Sequence, residues 1–216
     1  MGLKSPLAVT NILTIENLAF ERNDTVLFEP VCLDLNVGEA LHIEGANGAG
    51  KTTLFQLLIK ILEPSSGSVY FRGQEFSQCH YEYLSDILFI GHHCGVKAAL
   101  SVEENLRWMS PDNASSETIS QAMHYMGLEH YASIPCYRLS AGQHRRVALA
   151  RMLTTSASLW YLDEPFAALD KQGIELIEAC MQKHLDQGGA IVFSSHQDLV
   201  KIAARSYRLS PFREVM

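Results

Sequence analysis

Residues 45–52 read Gly-Ala-Asn-Gly-Ala-Gly-Lys-Thr, a GxxxxGK[ST] stretch, and they constrain this chain more tightly than any other feature. Its glycines permit backbone conformations closed to residues with a Cβ, so consecutive N–H groups can turn inward around an anion. The segment before it, Ala40–Glu44, reads as a short strand. After it, Leu54, Leu57, Leu58 and Ile61 fall at helical spacing and predict a helix over Thr52–Leu62. A helix opening there aims the positive end of its dipole at the same anion. Strand, glycine loop and helix in that order make a phosphate cradle from Gly45, Ala46, Asn47, Gly48, Ala49 and Gly50. Lys51 can reach the β- and γ-phosphates of a nucleotide, Thr52 can offer a hydroxyl to Mg²⁺, and Thr53 is a further phosphate contact. A chance glycine-rich turn would need neither flanking element.

The rest of the chain fits one domain with a modest insertion. It has 216 residues, 47% hydrophobic and 19% charged, which is the composition of a folded globular protein. The formal net charge of -7 argues against nucleic acid as a partner. Cysteines at 32, 79, 94, 136 and 180 form no CxxC, which argues against a disulfide framework and for a reducing compartment. No apolar run approaches the ~18 residues of a membrane span. Lys4 is followed by Thr10, Asn11, Thr14 and Glu16, which interrupt any signal-peptide core. The expectation is a soluble, cytoplasmic domain.

Alternation over Ile12–Leu18 predicts a half-buried strand, and Val26–Leu35 a weaker one broken by Pro30. Pro64–Gly67 is a turn, and Ser68–Arg72 and Ile87–Ile90 read as strands. From about His92 to Thr155 strand signals vanish, and Val102–Met109, Ser116–Met126 and Ala141–Leu153 look helical. Leu159–Leu162 and Ala190–Phe193 are short, fully apolar strands of the kind covered on both faces, and Tyr207–Leu209 is a last strand. The reading is α/β, with a core over about 1–92 and 156–216 and a helical subdomain over about 93–155.

Leu159-Trp-Tyr-Leu-Asp163-Glu164 puts two carboxylates at the end of an apolar strand. Asp163 falls where a phosphoryl-transfer enzyme needs an acid beside Mg²⁺. Glu164 reaches past it toward the water that attacks the γ-phosphate, where a carboxylate can serve as general base. Upstream, Leu139-Ser140-Ala-Gly142-Gln143 opens a helix for which Ser140 is a good N-cap. This stretch resembles the LSGGQ signature of ATP-binding cassette (ABC) ATPases. Ala168-Leu-Asp170 resembles their D-loop, and Ser195-His196 their H-loop. The resemblance runs from about residue 12 to 209. It implies a P-loop NTPase fold with a RecA-like core, an antiparallel β strip and a helical subdomain. It also implies ATP and Mg²⁺ as ligands and a homodimer holding two nucleotides between subunits. Each site would then take Lys51, Thr52, Asp163, Glu164 and His196 from one chain, and Ser140, Gly142 and Gln143 from the other.

Two places depart from the family. Leu88-Phe-Ile-Gly-His92-His93-Cys94 puts His93 where the Q-loop usually offers Gln, and a neutral imidazole could hold a water or Mg²⁺. The A-loop, which usually stacks an aromatic ring on adenine, offers Phe20 or Arg22. Narrower stretches, among them Glu21–Phe28, Gly91–Lys97, Leu139–Arg151 and Trp160–Phe166, resemble the ATP-binding subunits of haem exporters in cytochrome c maturation. That resemblance implies integral membrane partners, a peripheral place on the cytoplasmic face of the bacterial inner membrane, and ATP-driven release of a haem-loaded chaperone into the periplasm. No direct haem binding by this subunit is expected, because the candidates His92, His93 and Cys94 are assigned to the nucleotide site and the chain carries no Cys-Pro. The alternatives are the ATPase of another transporter and a soluble ABC ATPase acting on nucleic acid or ribosomes. His92-His93-Cys94 as a metal or haem site is disfavoured, because adjacent residues seldom converge on one ion. Cys136 reads as a buried cysteine. His144-Arg145-Arg146 reads as a basic run near phosphate or the subunit interface, and Phe89, Trp108 and Met109 read as core.

Overall fold

The computed structural model describes residues 11–111, 114–197, 199 and 201–212, so Lys4 and Thr10 of the leader reading lie outside it. The chain begins with strand β1 (Asn11–Ala19), a ribbon of β2 (Glu21–Arg22) and β3 (Thr25–Val26), then β4 (Val31–Asn36) and β5 (Ala40–Glu44). Helix α1 (Lys51–Leu58), β6 (Ser66–Phe71), β7 (Gln74–Glu75), α2 (His80–Ser85) and β8 (Ile87–Ile90) follow. Next come α3 (Val102–Met109), α4 (Ser116–Tyr125) and α5 (Ala141–Leu149), then β9 (Leu159–Asp163), α6 (Lys171–Asp186), β10 (Ala190–Ser194) and β11 (Ala204–Arg208).

Two main sheets result. An antiparallel one runs β4-β1-β6-β7, and a parallel one runs β11-β5-β10-β9-β8. Strands β9 and β10 are buried along their whole length, as a sheet covered on both faces requires. In register, Tyr161 pairs with Val192, which pairs with Leu41 on β5. Period-2 alternation divides these strands between two cores. Leu159, Tyr161, Ala190 and Val192 join Leu54, Phe55 and the antiparallel sheet. Trp160, Leu162, Ile191 and Phe193 join Val102, Leu106, Val147, Ile177 and Met181 from the helical face. The carboxyl ends of β5, β9 and β10 open onto one edge, where ligands of parallel α/β sheets bind.

Several elements differ from the sequence reading. Helix α1 stops at Leu58 and leaves Ile61 64% exposed. Lys60 takes a left-handed φ of 58°, and the N–H groups of Ile61 and Leu62 both turn back to the Gln56 carbonyl. The Leu58 carbonyl is satisfied by the buried Tyr83 hydroxyl of α2 at 2.6 Å. The Val26–Leu35 region becomes two strands either side of Pro30. The helix from Ala141 ends at Leu149 and tightens into a 3₁₀ turn over Ala150–Leu153. The last strand lies at Ala204–Arg208. Trp108 is not core: it is 64% exposed with the Lys97 ammonium 4.8 Å from its ring centroid. Cys136 is buried, and the Asn105 amide lies 3.2 Å from its sulfur. Among the described residues no helix is long and apolar enough to cross a membrane.

Candidate active site

The glycine loop joins β5 to α1. Gly48 and Gly50 have φ of 83° and 99°, and a Cβ on Gly50 would come within 2.7 Å of the Phe28 ring. Ala49 points inward and is buried, so the loop exposes main chain instead of side chain. Gly50 caps α1 with no side-chain hydrogen bond, which leaves first-turn N–H groups directed out of the helix. Lys51 folds across the loop, its Nζ donating to the Gly45 carbonyl at 2.7 Å and the Ala46 carbonyl at 3.4 Å.

At the end of β9, Asp163 is 2% exposed and bridges two elements. Its Oδ2 accepts from the Thr52 hydroxyl at 2.9 Å, and its Oδ1 from the Ser194 hydroxyl of β10 at 2.7 Å. The paired hydroxyl and carboxylate of Thr52 and Asp163 are a hard oxygen donor set of the kind Mg²⁺ takes, so these residues fit that ion. Ser194 also accepts the Glu164 N–H at 3.0 Å. Glu164 itself has a left-handed φ of 53°, a conformation that costs a non-glycine residue roughly 1–2 kcal/mol. That turn swings the Glu164 side chain to the same opening as Asp163. Its Oε2 accepts the His196 N–H at 3.3 Å, while its buried Oε1 makes no hydrogen bond and lies 3.4 Å from His196 Nε2. A carboxylate at such an opening is of the residue type that serves as a general base.

These groups line one cleft of about 960 Å³. It collects Phe20, Arg22, Ala46, Asn47, Gly48, Gly50, Lys51, Thr52, Thr53, Asp163, Glu164 and His196, together with Leu27, Gln56, Leu62 and Ala167. Gly45 and Ala49 belong to the loop without lining the cleft. Of the two adjacent histidines, His92 lines it and His93 does not; their rings lie 5.5 Å apart at 73°. Successive side chains leaving a strand diverge, so a shift of one residue exchanges which imidazole faces the cleft.

Ser140, Gly142 and Gln143 lie in a separate hollow of about 450 Å³ with Ala168, Leu169, Asp170 and Arg146. The Ser140 hydroxyl accepts the Gln143 N–H, and the Gln143 side chain accepts the Ser140 N–H, a reciprocal capping box on α5. A Cβ on Gly142 would come within 2.8 Å of the Ala168 carbonyl, so only glycine allows this approach. Arg146 pairs with Asp170 at 2.8 Å. The Gly173 N–H, and then Arg146, hold the Asp170 carboxyl below its usual range. Among the described residues, Ser140, Gly142 and Gln143 thus line a different hollow from the glycine loop, Asp163, Glu164 and His196.

Sequence reasoning missed three participants. Ser194 had no motif to mark it, although a hydroxyl closing a buried strand is a weak signal. Gln56 faces the cleft from α1. Arg145, read as part of a basic run, is 3% exposed and turned inward.

Known proteins resemble this chain in sequence and in fold. Residues 28–167 match the family described as ABC transporter. A protein of Idiomarina loihiensis named cytochrome c biogenesis ATP-binding export protein CcmA is 43% identical over 210 residues, covering 94% of this chain and 95% of that one. The protein of the same name from Pseudomonas putida is 42% identical over 189 residues, covering 87% and 90%. Among solved structures, cbiO1 from Clostridium perfringens, part of the ABC transporter complex cbiONQ, superposes with a TM-score of 0.76. It is 27% identical, with 93% of this chain and 85% of that one covered.

Proposed function

Because this chain belongs to the ABC transporter family, as an ATP-binding subunit of a class that hydrolyses ATP, we propose that it powers a haem exporter of cytochrome c maturation. In this reading two copies meet head to tail on the cytoplasmic face of the inner membrane, bound to integral membrane subunits. Closing and opening of the pair releases a haem-loaded chaperone in the periplasm. Relatives named for cytochrome c biogenesis, matched over nearly their whole length, support the narrower assignment.

The chemistry follows from the cleft. ATP lies with its phosphates along residues 45–50 and its base beside Phe20 or Arg22. Lys51 leaves the loop carbonyls for the β- and γ-phosphates, a charge-assisted contact. Thr52 and Asp163 would hold Mg²⁺, which when bound would neutralise phosphate charge. Glu164 takes a proton from water as the water oxygen bonds to the γ-phosphorus and the bond to the β–γ bridging oxygen breaks. His196, against the Glu164 carboxylate, keeps that carboxylate aimed at the water. His92, facing the same cleft, takes the place read for His93, where a neutral imidazole could hold a water. The partner copy's Ser140, Gly142 and Gln143 complete the site from the opposite side.

The single observation that carries the hydrolytic reading is that Glu164 lines the same cleft as the glycine loop, Thr52 and Asp163. Glu164→Gln keeps the shape and loses the base. Its steady-state ATPase rate is expected to fall about 10²–10⁴-fold, with ATP affinity little changed and a nucleotide-bound dimer accumulating in size-exclusion chromatography. A rate within twofold of the parent removes the general base from this mechanism. Co-purification of membrane subunits from detergent extract tests the transport assignment.

A further inference from the structure

We infer that Arg145 is a positioning residue that holds Glu164 in the geometry hydrolysis needs. The guanidinium springs from α5, the helix that Ser140 opens, and passes inward beneath the cleft. All its contacts reach other segments. Nε donates to the Pro165 carbonyl at 3.2 Å, and Nη2 to the carbonyls of Glu164 at 2.8 Å and Asp163 at 3.1 Å. Nη1 donates to the Gly91 carbonyl at 2.8 Å and lies 3.4 Å from the Cys94 sulfur.

These acceptors are four carbonyls and one sulfur. A buried cation held by neutral acceptors adds little to stability for the desolvation it incurs. Its planar fork, however, fixes several carbonyls in one plane, which a lysine ammonium cannot do. The carbonyls it selects are those of the turn that carries the reacting carboxylate and the residue just before His92. Glu164 is the position that needs such support. Its left-handed backbone persists only where surroundings over-determine it. Ser194 holds its N–H and Arg145 holds its carbonyl, so the residue is gripped from both sides. Arg151, one turn beyond α5, donates to the Phe89 carbonyl at 3.0 Å and steadies the same strand end without reaching Glu164.

The inference rests on the proposed role of Glu164, and the test separates the two. Arg145→Lys keeps the charge and loses the fork. Steady-state kinetics of the purified full chain with MgATP should show kcat reduced by at least about tenfold, as small misplacements of a reacting group do, with KM for ATP within about twofold. The decisive readout is the same substitution in a Glu164→Gln background, followed by single-turnover hydrolysis. If Arg145 acts through Glu164, it has nothing left to position, and the double variant should hydrolyse ATP within about twofold of Glu164→Gln alone. Equal losses in both backgrounds would show a general structural effect and overturn the inference. So would an unchanged kcat in Arg145→Lys while Glu164→Gln is slow. A fast Glu164→Gln defeats the functional reading itself, and this inference with it. Should the lysine variant not fold by circular dichroism, Arg145→Gln, whose amide can still bond two carbonyls, takes its place. Failure of both to fold identifies Arg145 as structural only and also overturns the inference.

Discussion

Helices α1 and α5 each begin where a phosphate could meet backbone N–H groups, yet their first turns are built differently. α1 is capped by Gly50, which offers no side chain to its own helix. α5 is capped by Ser140, which with Gln143 satisfies two backbone donors before any ligand arrives. The first turn of α1 therefore keeps its donors for an anion and has Lys51 beside them. That of α5 already has its Gln143 N–H bonded to Ser140, so phosphate there gains fewer new bonds. Nucleotide affinity should reside on the α1 side. The α5 side should matter only once a second chain closes over the bound nucleotide.

The strongest test of that division is Lys51→Ala. A hydrogen bond to a charged group is worth about 2–3 kcal/mol, so ATP affinity measured by isothermal titration on the isolated chain should drop roughly 30- to 150-fold. Hydrolysis should fall at least as far. The loop should remain folded, because Lys51 bonds only to carbonyls at its edge. A drop of less than about threefold would mean the glycine loop binds phosphate through main chain alone, and the contrast with α5 would collapse.

Ser140→Ala should behave in the opposite way. Loss of an N-cap costs about 1 kcal/mol, visible as a small fall in the urea midpoint. ATP affinity of the isolated chain should stay within about twofold of the parent. ATPase activity should nevertheless fall, because the half-site offered to the partner is damaged. Mixing Lys51→Ala with Ser140→Ala sharpens the point. In a head-to-tail pair one site collects both defects and the other is intact, so the mixture should hydrolyse ATP faster than either variant alone. No recovery would place both helices in the same half-site and break the comparison.

What the sequence disclosed and what it withheld divide along similar lines. The β5–loop–α1 unit and the apolar β9 were legible because neighbours in sequence settle them: glycines, a helical apolar stripe, and a run buried on both faces. The α5 cap was legible too, since Ser140 and Gln143 stand three residues apart. Helix α6 was not, although it is the longest among the described residues, because its inward face mixes Ile177, Cys180 and Met181 with the buried Glu178 and His184. Those polar residues blur the apolar stripe. Ser194 and Arg145 act across separations of 31 and 54 residues, and no local pattern signals such pairings. The histidine facing the cleft was displaced by one residue, from His93 to His92, a register that only the path leaving β8 determines.

The smallest expected effect is on the α5 side, in the Asp170 carboxylate that borders the signature hollow. It caps α6 by accepting the Gly173 N–H at 2.9 Å and also accepts from Arg146 on α5. Both contacts favour the charged form, and the first lowers the carboxyl below its ordinary value more than the second. A group with a depressed folded value binds protons less readily in the folded than in the unfolded state. Its stabilising contribution is complete above the unfolded value, about 3.9 for Asp, and is lost as pH falls through the folded one. Asp170 is exposed, so solvent screens the contribution and the effect is small. Asp170→Asn keeps an N-cap acceptor and removes the titration. Below about pH 4, urea midpoints of the parent should fall more steeply with pH than those of Asp170→Asn, and above about pH 5 the two curves should run parallel. Midpoints that fall with the same slope in both proteins would show that the Gly173 and Arg146 contacts of the Asp170 carboxylate together add nothing measurable, leaving the capping box of α5 as the feature that distinguishes it from α1.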